Sequence, residues 1–347
     1  MPSGYFHRVA EKSPTRFWLN NPTRKDMEQA IAAGAINVTT NPAYCSKLIK
    51  REPGYIRAVI DRVVKETQDD DIAADATYQK CASRVMDRFL PVYKQSRGSR
   101  GYVTIQADPR EDKDPEAIVN AALRHQALGK NYMAKVPVIP AGAEAIAALV
   151  EADIPICATE VFSVSQATYI CDLYRRVAKK CGKRPPFFVT HITGIFDEYL
   201  LKIVKRDSID IAPELLWHAG CAVARKEYQI LRERGYETTM LGGGARGTHH
   251  FTEFVGGDVH ITINWSTARE LIEADGPVVS RIDAETPKDV IDELVTKLPD
   301  FSRAYHEEGL SLDRFEDFGP VQMFRNNFLQ GYYLLMAEVA SRRALHP

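Results

Sequence analysis

Short apolar runs rich in β-branched and aromatic residues alternate with longer segments of helical period along most of the chain. The runs predict eight strands: Phe17–Asn21, Asn37–Asn41, Tyr102–Asp108, Tyr132–Val138, Ile154–Phe162, Phe187–Thr193, Thr238–Gly244 and Val259–Ile263. The segments between them, such as 115–128, 141–151, 165–180 and 220–234, are long enough to cross back over a sheet. This alternation predicts an α/β fold whose strands run parallel.

Eight strands with helical crossovers predict a closed parallel (β/α)8 barrel, the TIM barrel architecture. The alternative is an open doubly wound sheet, which usually carries a glycine-rich dinucleotide turn after its first strand. Here the first strand is followed by Asn21-Pro22-Thr23, without a GxGxxG pattern. The barrel is therefore the favoured fold.

Two stretches lie outside the simple repeat. The connection between the second and third strands spans about sixty residues and carries helical patterns at 55–67 and 73–93, which predicts a helical insertion. After the eighth strand the chain stays helical in period to its end. We expect one domain over 1–347, with the barrel at about 15–275 and a helical C-terminal extension at about 276–347 that packs on the barrel or covers its mouth.

Composition narrows the possible partners of this 347-residue chain. Lys and Arg number 45 against 46 Asp and Glu, a formal net charge of −1, which argues against nucleic acid or anionic lipid as a partner. No stretch reaches the roughly 18 apolar residues of a membrane span, and the first residues lack an apolar leader. The six cysteines show no CxxC and no metal-ligand spacing. These features predict a cytoplasmic protein with no bound metal.

Lys135 is the most informative single residue. It lies within Tyr132–Val138, an otherwise apolar strand. Its ammonium group loses its hydration there, unless a polar or charged partner compensates for the loss. Desolvation lowers the pKa of a lysine, and a partly neutral lysine is the nucleophile that forms a Schiff base with a ketone or aldehyde. The alternative is a strand-end lysine that reaches solvent or pairs with Asp108.

The segment after the seventh predicted strand suggests an anion site. Gly242–Gly244, with Arg246 beside it, offers backbone N–H groups before a helix start near Thr248, which is suitable for a phosphate. The alternative is a tight turn between strand and helix. The adjacent His249 and His250 would point about 100° apart on a helix, without an acidic or cysteine partner at ligand spacing, so a metal site is not expected.

Four motifs in the same order resemble those of the transaldolase family, over most of residues 17–275. Thr39-Thr40-Asn41-Pro42 resembles the TTNP signature, and the strand of Lys135 resembles the family's Schiff-base strand. Cys157–Ser163 resembles its NVTLIFS strand, and the helix, Gly-Tyr turn and glycine-arginine segment from Gly220 to Arg246 resemble its phosphate-binding end. The resemblance implies a class I aldolase of the pentose phosphate pathway that transfers a dihydroxyacetone unit between sugar phosphates through a lysine imine, without a cofactor. A homodimer is also implied only by the resemblance.

The resemblance also implies the site residues. It makes Lys135 the Schiff-base lysine and places Thr159, Gln106 and Asn20 at the other catalytic positions. Substrate contacts are expected from the residues at the strand ends, namely Thr40, Asn41, Asp108, Cys157, His191, Gly244 and Arg246.

Several of these positions depart from the family pattern. Where the family has an aspartate on the first strand and a glutamate on the third, this chain has Asn20 and Gln106, which cannot accept a proton at neutral pH. A family asparagine is Cys157, and the glycine-arginine pair of the sixth strand appears as Thr190-His191. Phosphate recognition is thereby weakened or changed, because an arginine fork is lost while Arg246 stays.

Three interpretations follow from these departures. The chain is a working transaldolase or aldolase, slow on standard sugar phosphates, in which Asp108, Glu160 or His191 handles protons; or it is a Schiff-base enzyme for a modified sugar; or it is a non-catalytic sugar-phosphate-binding barrel. Regular strand alternation would turn Glu160 away from Thr159 into the helix layer, where it would pair with a basic residue. For His191 the alternatives are a phosphate contact and a satisfied polar group.

Overall fold

The computed structural model describes residues 4–346 and contains a closed barrel of eight parallel strands in chain order. All eight predicted strands are present, which confirms the (β/α)8 barrel. Their bounds are β1 Arg16–Asn20, β2 Asn37–Thr39, β3 Val103–Gln106, β4 Tyr132–Pro137, β5 Ile156–Val161, β6 Phe187–Ile192, β7 Thr239–Gly243 and β8 Val259–Ile263. Most end earlier than predicted, so that several polar residues expected on strands lie in the loops that follow.

Helices separate the strands and cover the outside of the barrel. They are α1 Tyr5–Lys12, α2 Arg24–Ala32, α3 Tyr44–Arg51, α4 Pro53–Glu66, α5 Asp70–Gln95, α6 Pro115–Gln126, α7 Pro140–Glu151, α8 Val164–Cys181, α9 Thr193–Asp207, α10 Pro213–Leu216, α11 Ala219–Glu233, α12 His249–Thr252, α13 Trp265–Ala274, α14 Lys288–Lys297, α15 Pro299–Tyr305, α16 Leu312–Phe315 and α17 Gly319–Arg343. The insertion between β2 and β3 is therefore helical as predicted, and it contains α3 in addition to the two expected helices.

The interior of the barrel is filled by side chains rather than open. Trp18, Met133, Cys157, Phe188 and Leu241, from five different strands, form one apolar cluster inside it. Trp18 Nε1 donates a hydrogen bond to His260 Nδ1 at 2.9 Å. A barrel filled in this way leaves room for a ligand at the ends of the strands, and in barrels of this kind the site lies at the C-terminal ends.

The C-terminal extension is helical and packs on the barrel, as predicted. Its long helix, α17, is tied to the rest of the chain by three ion pairs of arginine with aspartate: Arg325 with Asp112, Arg342 with Asp61, and Arg343 with Asp70. The same helix brings aromatic side chains to the mouth of the barrel. It therefore covers the mouth as well as packing on the outer helices.

Two sequence expectations concern the whole chain. Residues 1–3 and Pro347 of the expected single domain lie outside the described residues, and its extent over 1–347 stays a prediction. Across residues 4–346, no helix combines the length and apolar character that crossing a membrane requires.

Candidate functional site

A cavity of about 380 Å³ opens at the C-terminal ends of the strands. Isoleucine, phenylalanine and glycine residues form its apolar walls. Its polar lining comes from six strands or the loops after them, from α3 and α9, and from α17, and it consists of Asn20, Thr39, Asn41, Lys47, Lys135, Thr190, Glu198, Arg246, Thr262, Asn264 and Asn327. Five of the residues predicted from the sequence therefore meet in one cavity: Asn20, Asn41, Lys135, Gly244 and Arg246.

Lys135 lies on β4 with its side chain directed into the cavity, and the residue is only 6% exposed. Its Nζ lies 5.4 Å from the centre of the Phe328 ring, which α17 places over it. Burial lowers the pKa of Lys135, and the nearby Cys157 and Glu160 oppose this shift. The result is an amine that gives up its proton more readily than a solvated lysine, as a Schiff-base nucleophile must.

Two further cations line the cavity. Lys47, on α3, has a pKa lowered to about 8, chiefly by burial and then by repulsion from Arg246, Lys135 and Arg51. Arg246 follows β7, and its Nε donates to Glu198 Oε2 at 2.8 Å. Mutual repulsion among cations that line one cavity favours binding of an anion between them.

Glycines allow the backbone to approach closely beside Arg246. Gly194, in the first turn of α9, lies so near the β7 loop that a Cβ there would come within 2.6 Å of Gly244 O and 2.7 Å of Arg246 N. Gly244 has φ +68°, and a Cβ on it would come within 2.6 Å of Ile192 Cγ2. The N-terminus of α9 and the β7 loop thus form a narrow cradle next to an arginine, which suits a phosphate.

Asn20 is held at the end of β1 by side-chain hydrogen bonds. Its Nδ2 donates to Asn264 Oδ1 at 3.2 Å, and its Oδ1 accepts from Thr39 Oγ1 at 3.1 Å. Thr39 Oγ1 also lies 2.6 Å from Thr262 Oγ1. An amide at position 20 therefore serves as both donor and acceptor in this network, which spans β1, β2 and the end of β8.

Three predicted residues lie inside the barrel next to Lys135 rather than in the lining of the cavity. In the strand register Lys135 pairs with Gln106 of β3 and with Cys157 of β5. Thr159 lies two residues after Cys157 on β5. Gln106 Nε2 donates to Glu160 Oε1 at 3.1 Å, and Cys157 Sγ lies 3.1 Å from Thr190 Oγ1. All three predicted side chains are buried.

The expected orientation of Glu160 is wrong. Regular alternation would have placed it with Ile156 and Ala158 against the outer helices, but β5 contains an irregularity between Ala158 and Val161, and Glu160 has φ +61°. Val161 takes the outward position in the apolar layer, and Glu160 turns inward to Gln106. A bulge of this kind shifts the side-chain period by one residue, which strand alternation alone cannot reveal.

Three predicted substrate contacts, Thr40, Asp108 and His191, are not part of the cavity lining. Thr40 Oγ1 is hydrogen-bonded to Tyr78 and to the backbone of β3, and both carboxylate oxygens of Asp108 accept hydrogen bonds from the guanidinium of Arg110. His191 Nδ1 lies 2.9 Å from Glu227 Oε1 of α11, and both side chains are fully buried in the helix layer. His191 is thus paired through Nδ1, while its buried Nε2 has no hydrogen-bond partner among the described residues, and its contact with substrate stays a prediction.

Several polar or aromatic residues of the lining were not predicted from the sequence, among them Asn264, Lys47, Asn327 and Phe328. Asn264 directly follows β8, so the strand-end rule applied to the other strands would have found it. Lys47 follows the TTNP segment by five residues but lies on a helix that was not predicted. Asn327 and Phe328 belong to α17, and no local pattern indicates which face of that helix meets the barrel.

A cysteine does approach the paired histidines, contrary to the expectation from spacing. Among the described residues, the ligand atoms of Cys221, His249 and His250 lie within 4.8 Å of one another. However, His250 Nε2 lies 2.8 Å from Asp197 Oδ2, and its Nδ1 accepts from Arg246 N–H. Both nitrogens of His250 are therefore occupied, which favours a hydrogen-bonded role beside Arg246 over metal ligation.

Comparisons with known proteins identify similar sequences. The family model described as transaldolase/fructose-6-phosphate aldolase matches residues 17–317. The transaldolase of Trichodesmium erythraeum is 29% identical over 254 residues, covering 66% of this chain and 67% of that protein. The transaldolase of Thiobacillus denitrificans is 27% identical over 250 residues, covering 66% and 68%. The transaldolase of Mycobacterium tuberculosis is 27% identical over 234 residues, covering 62% and 61%.

The close packing around Gly244 can be tested through the stability of the protein. We expect Gly244→Ala to lower the free energy of unfolding by more than the roughly 1–3 kcal/mol that a left-handed backbone costs a non-glycine residue, because its Cβ also meets Ile192 and Ile195. Gly182→Ala is the matched control, since Gly182 has φ +72° but no atom within 4 Å of its Cβ. Urea unfolding measures both, and equal losses would contradict the close packing at Gly244.

Proposed function

The chain belongs to the transaldolase/fructose-6-phosphate aldolase family, and from this premise we propose that it is a class I aldolase whose Schiff-base nucleophile is Lys135. The proposed reaction transfers or cleaves the dihydroxyacetone unit of a sugar phosphate. The substrate is thus a small phosphorylated sugar. A homodimer and a cytoplasmic location remain predictions, as does the lack of a nucleic acid partner.

One observation carries the proposal. A single cavity holds a buried lysine with a lowered pKa and, also in its lining, Lys47 and Arg246 with the glycine cradle. Its volume of about 380 Å³ lies within the range of small-molecule sites. The arrangement suits a substrate with a carbonyl group for Lys135 and a phosphate for the other two cations.

The chemistry starts from the neutral amine of Lys135. Its nitrogen attacks the substrate's carbonyl carbon, and loss of water leaves a protonated imine. The imine withdraws electrons from the neighbouring carbon, so that the adjacent carbon–carbon bond breaks once a base removes the proton from the hydroxyl group. The protonated imine is itself the electron sink, so the proposed reaction needs no metal or organic cofactor.

The groups proposed to bind phosphate differ in part from the family pattern, of which Arg246 is retained. Arg246 supplies a guanidinium, Lys47 a point charge, and the start of α9 its backbone N–H groups. Glu198 holds Arg246 from the other side, which fixes the orientation of the guanidinium and competes with phosphate for it. Asn41 Oδ1 accepts from Ala43 N–H, so its amide hydrogens are left to face substrate hydroxyls.

Asn20 sets the expected speed of carbon–carbon cleavage. It lines the cavity with Lys135, where the family pattern implies an aspartate that takes up the hydroxyl proton. An amide orients a hydroxyl but does not accept its proton at neutral pH. We therefore propose that imine formation is intact while cleavage of standard sugar phosphates is slow.

Imine trapping tests the proposed nucleophile. We expect incubation with fructose 6-phosphate and borohydride to leave a stable adduct on Lys135, located by peptide mass mapping. Lys135→Met should abolish the adduct, whereas the exposed Lys180→Met should leave it unchanged. If no ketose gives an adduct on Lys135, the chain is a sugar-phosphate-binding barrel without this chemistry.

A second test concerns the phosphate. Arg246→Ala should raise the KM for a phosphorylated substrate by roughly ten- to a hundredfold, which corresponds to about 1.5–3 kcal/mol for a hydrogen bond to a charged group. The KM for dihydroxyacetone should change little, and the exposed Arg206→Ala is the control. Equal effects on both substrates would contradict the phosphate assignment and favour a modified sugar.

A third test restores the missing base. We expect Asn20→Asp to raise the rate of cleavage, by up to the roughly 10²–10⁴-fold that a placed base contributes, while the yield of trapped imine stays the same. Single-turnover kinetics separate the two steps. Faster cleavage by the native protein than by the variant would show that another group takes this proton.

A further inference from the structure

The pair formed by Gln106 and Glu160 lies beside Lys135 and has no part in the function proposed so far. Gln106 is on β3, Lys135 on β4 and Glu160 on β5, so the lysine strand lies between the two strands of the pair. Both side chains of the pair are buried, with Gln106 2% and Glu160 1% exposed. A carboxyl group thus faces the barrel interior next to the nucleophile, although the third strand carries only an amide.

The backbone of β5 is shaped to present this carboxyl group. Glu160 has φ +61°, a conformation that costs a residue other than glycine of the order of 1–3 kcal/mol and that concentrates at functional sites. The irregularity between Ala158 and Val161 puts Thr159 and Glu160 on the inner side in succession. The protein keeps a strained glutamate there, where a glycine would adopt the same backbone without strain.

Both acidic and basic side chains surround Glu160. Asp112, from the loop after β3, Lys135, from β4, and Arg325, from α17, face it. Arg325 is itself engaged by Asp112 through contacts of 2.8 and 2.9 Å. Burial, with Asp112 adding to it, raises the pKa of Glu160 to about 8, against the opposing effects of Lys135, Gln106 and Arg325. Near neutral pH the carboxyl group therefore holds a proton while the pKa of Lys135 is lowered.

Two neighbouring polar atoms are unsatisfied. Within residues 4–346, Gln106 Oε1 and Thr159 Oγ1 are buried and have no hydrogen-bond partner. Buried polar groups normally bind protein or an ordered water. The two atoms flank the strand of Lys135, one on β3 and the other on β5. Together they are suited to hold a water or the oxygen of a reacting carbonyl group.

The other two acid/base candidates are engaged elsewhere. Asp108 is paired with Arg110, and His191 with Glu227 in the helix layer. None of the three candidates lines the cavity, but only Glu160 contributes to the electrostatic surroundings of Lys135. Glu160 is therefore the one of the three that the fold places with the nucleophile.

We propose that Glu160 is the proton donor and acceptor of imine formation at Lys135, acting through a water held by Gln106 Oε1 and Thr159 Oγ1. The inference rests on the proposed Schiff-base function and names the group that manages its protons. The carboxyl group that the family pattern implies on the third strand is thus replaced by one on β5, which is hydrogen-bonded to the amide of Gln106 on β3.

The neutral amine of Lys135 adds to the carbonyl carbon, and one proton passes from nitrogen to oxygen to give the carbinolamine. The Glu160 carboxyl group delivers its proton, through the water, to the hydroxyl group. The carbon–oxygen bond breaks, water leaves, and the products are the protonated imine and the Glu160 carboxylate. Hydrolysis of the imine reverses these steps and returns the proton to Glu160.

The test is the pH dependence of imine formation in the full-length protein. Dihydroxyacetone with cyanoborohydride reports the rate at which the Lys135 adduct appears. In the native protein the rate should fall above about pH 8, as Glu160 loses its proton. Glu160→Gln should lower the rate at neutral pH by roughly 10²–10⁴-fold and remove this fall. The exposed Glu116→Gln, on α6, should behave as the native protein does.

A second variant guards against a folding defect. Glu160→Gly suits φ +61° and lacks the carboxyl group, so we expect a folded protein, by circular dichroism, that forms the imine as slowly as Glu160→Gln. A native rate in either folded variant, or the same fall above pH 8 in Glu160→Gln, would overturn the role of Glu160 and leave the Schiff base standing. If the native protein forms no adduct on Lys135, the proposed function fails and this role fails with it.

Discussion

The burial of one amine governs the candidate site. Lys135 lies on a strand whose other side chains pack against helices or fill the barrel, so its ammonium group loses most of its hydration. Phe328 closes over it from α17, and the carboxyl group of Glu160 faces it from β5. A residue that is costly to bury as a cation is thereby favoured as a neutral nucleophile. The covering helix α17 and the bulged strand β5 both place side chains around this buried amine.

The barrel makes that burial tolerable because it separates packing from chemistry. Its interior carries the apolar cluster around Trp18 and Met133, while the polar groups gather at the C-terminal ends. The divergent positions obey the same division. Asn20 is hydrogen-bonded to Thr39 and Asn264 at the rim of the barrel, and Cys157 contacts Thr190 inside it. An amide and a thiol thus occupy these positions with polar partners.

Strand periodicity predicts the direction of side chains correctly except where the backbone departs from regular alternation. The eight strands and the inward direction of Lys135 follow from short apolar runs, which are local features of the chain. Glu160 faces inward because β5 takes an extra residue, and a shift of one residue exchanges the two faces of a strand. His191 follows ordinary alternation outward and meets Glu227, a partner that only the packing of α11 against the sheet supplies.

The closed parallel barrel, the helical insertion and extension, and the positions of Asn20, Lys135 and Arg246 along their strands could all be predicted from local patterns, because hydrophobic periodicity and turn residues act over a few positions. Which polar groups share the cavity depends on tertiary packing. Lys47 comes from the insertion and Phe328 from the extension, segments far from Lys135 in the chain. Their arrival depends on how helices pack on the barrel, and that is set by many distant contacts acting together rather than by any local pattern.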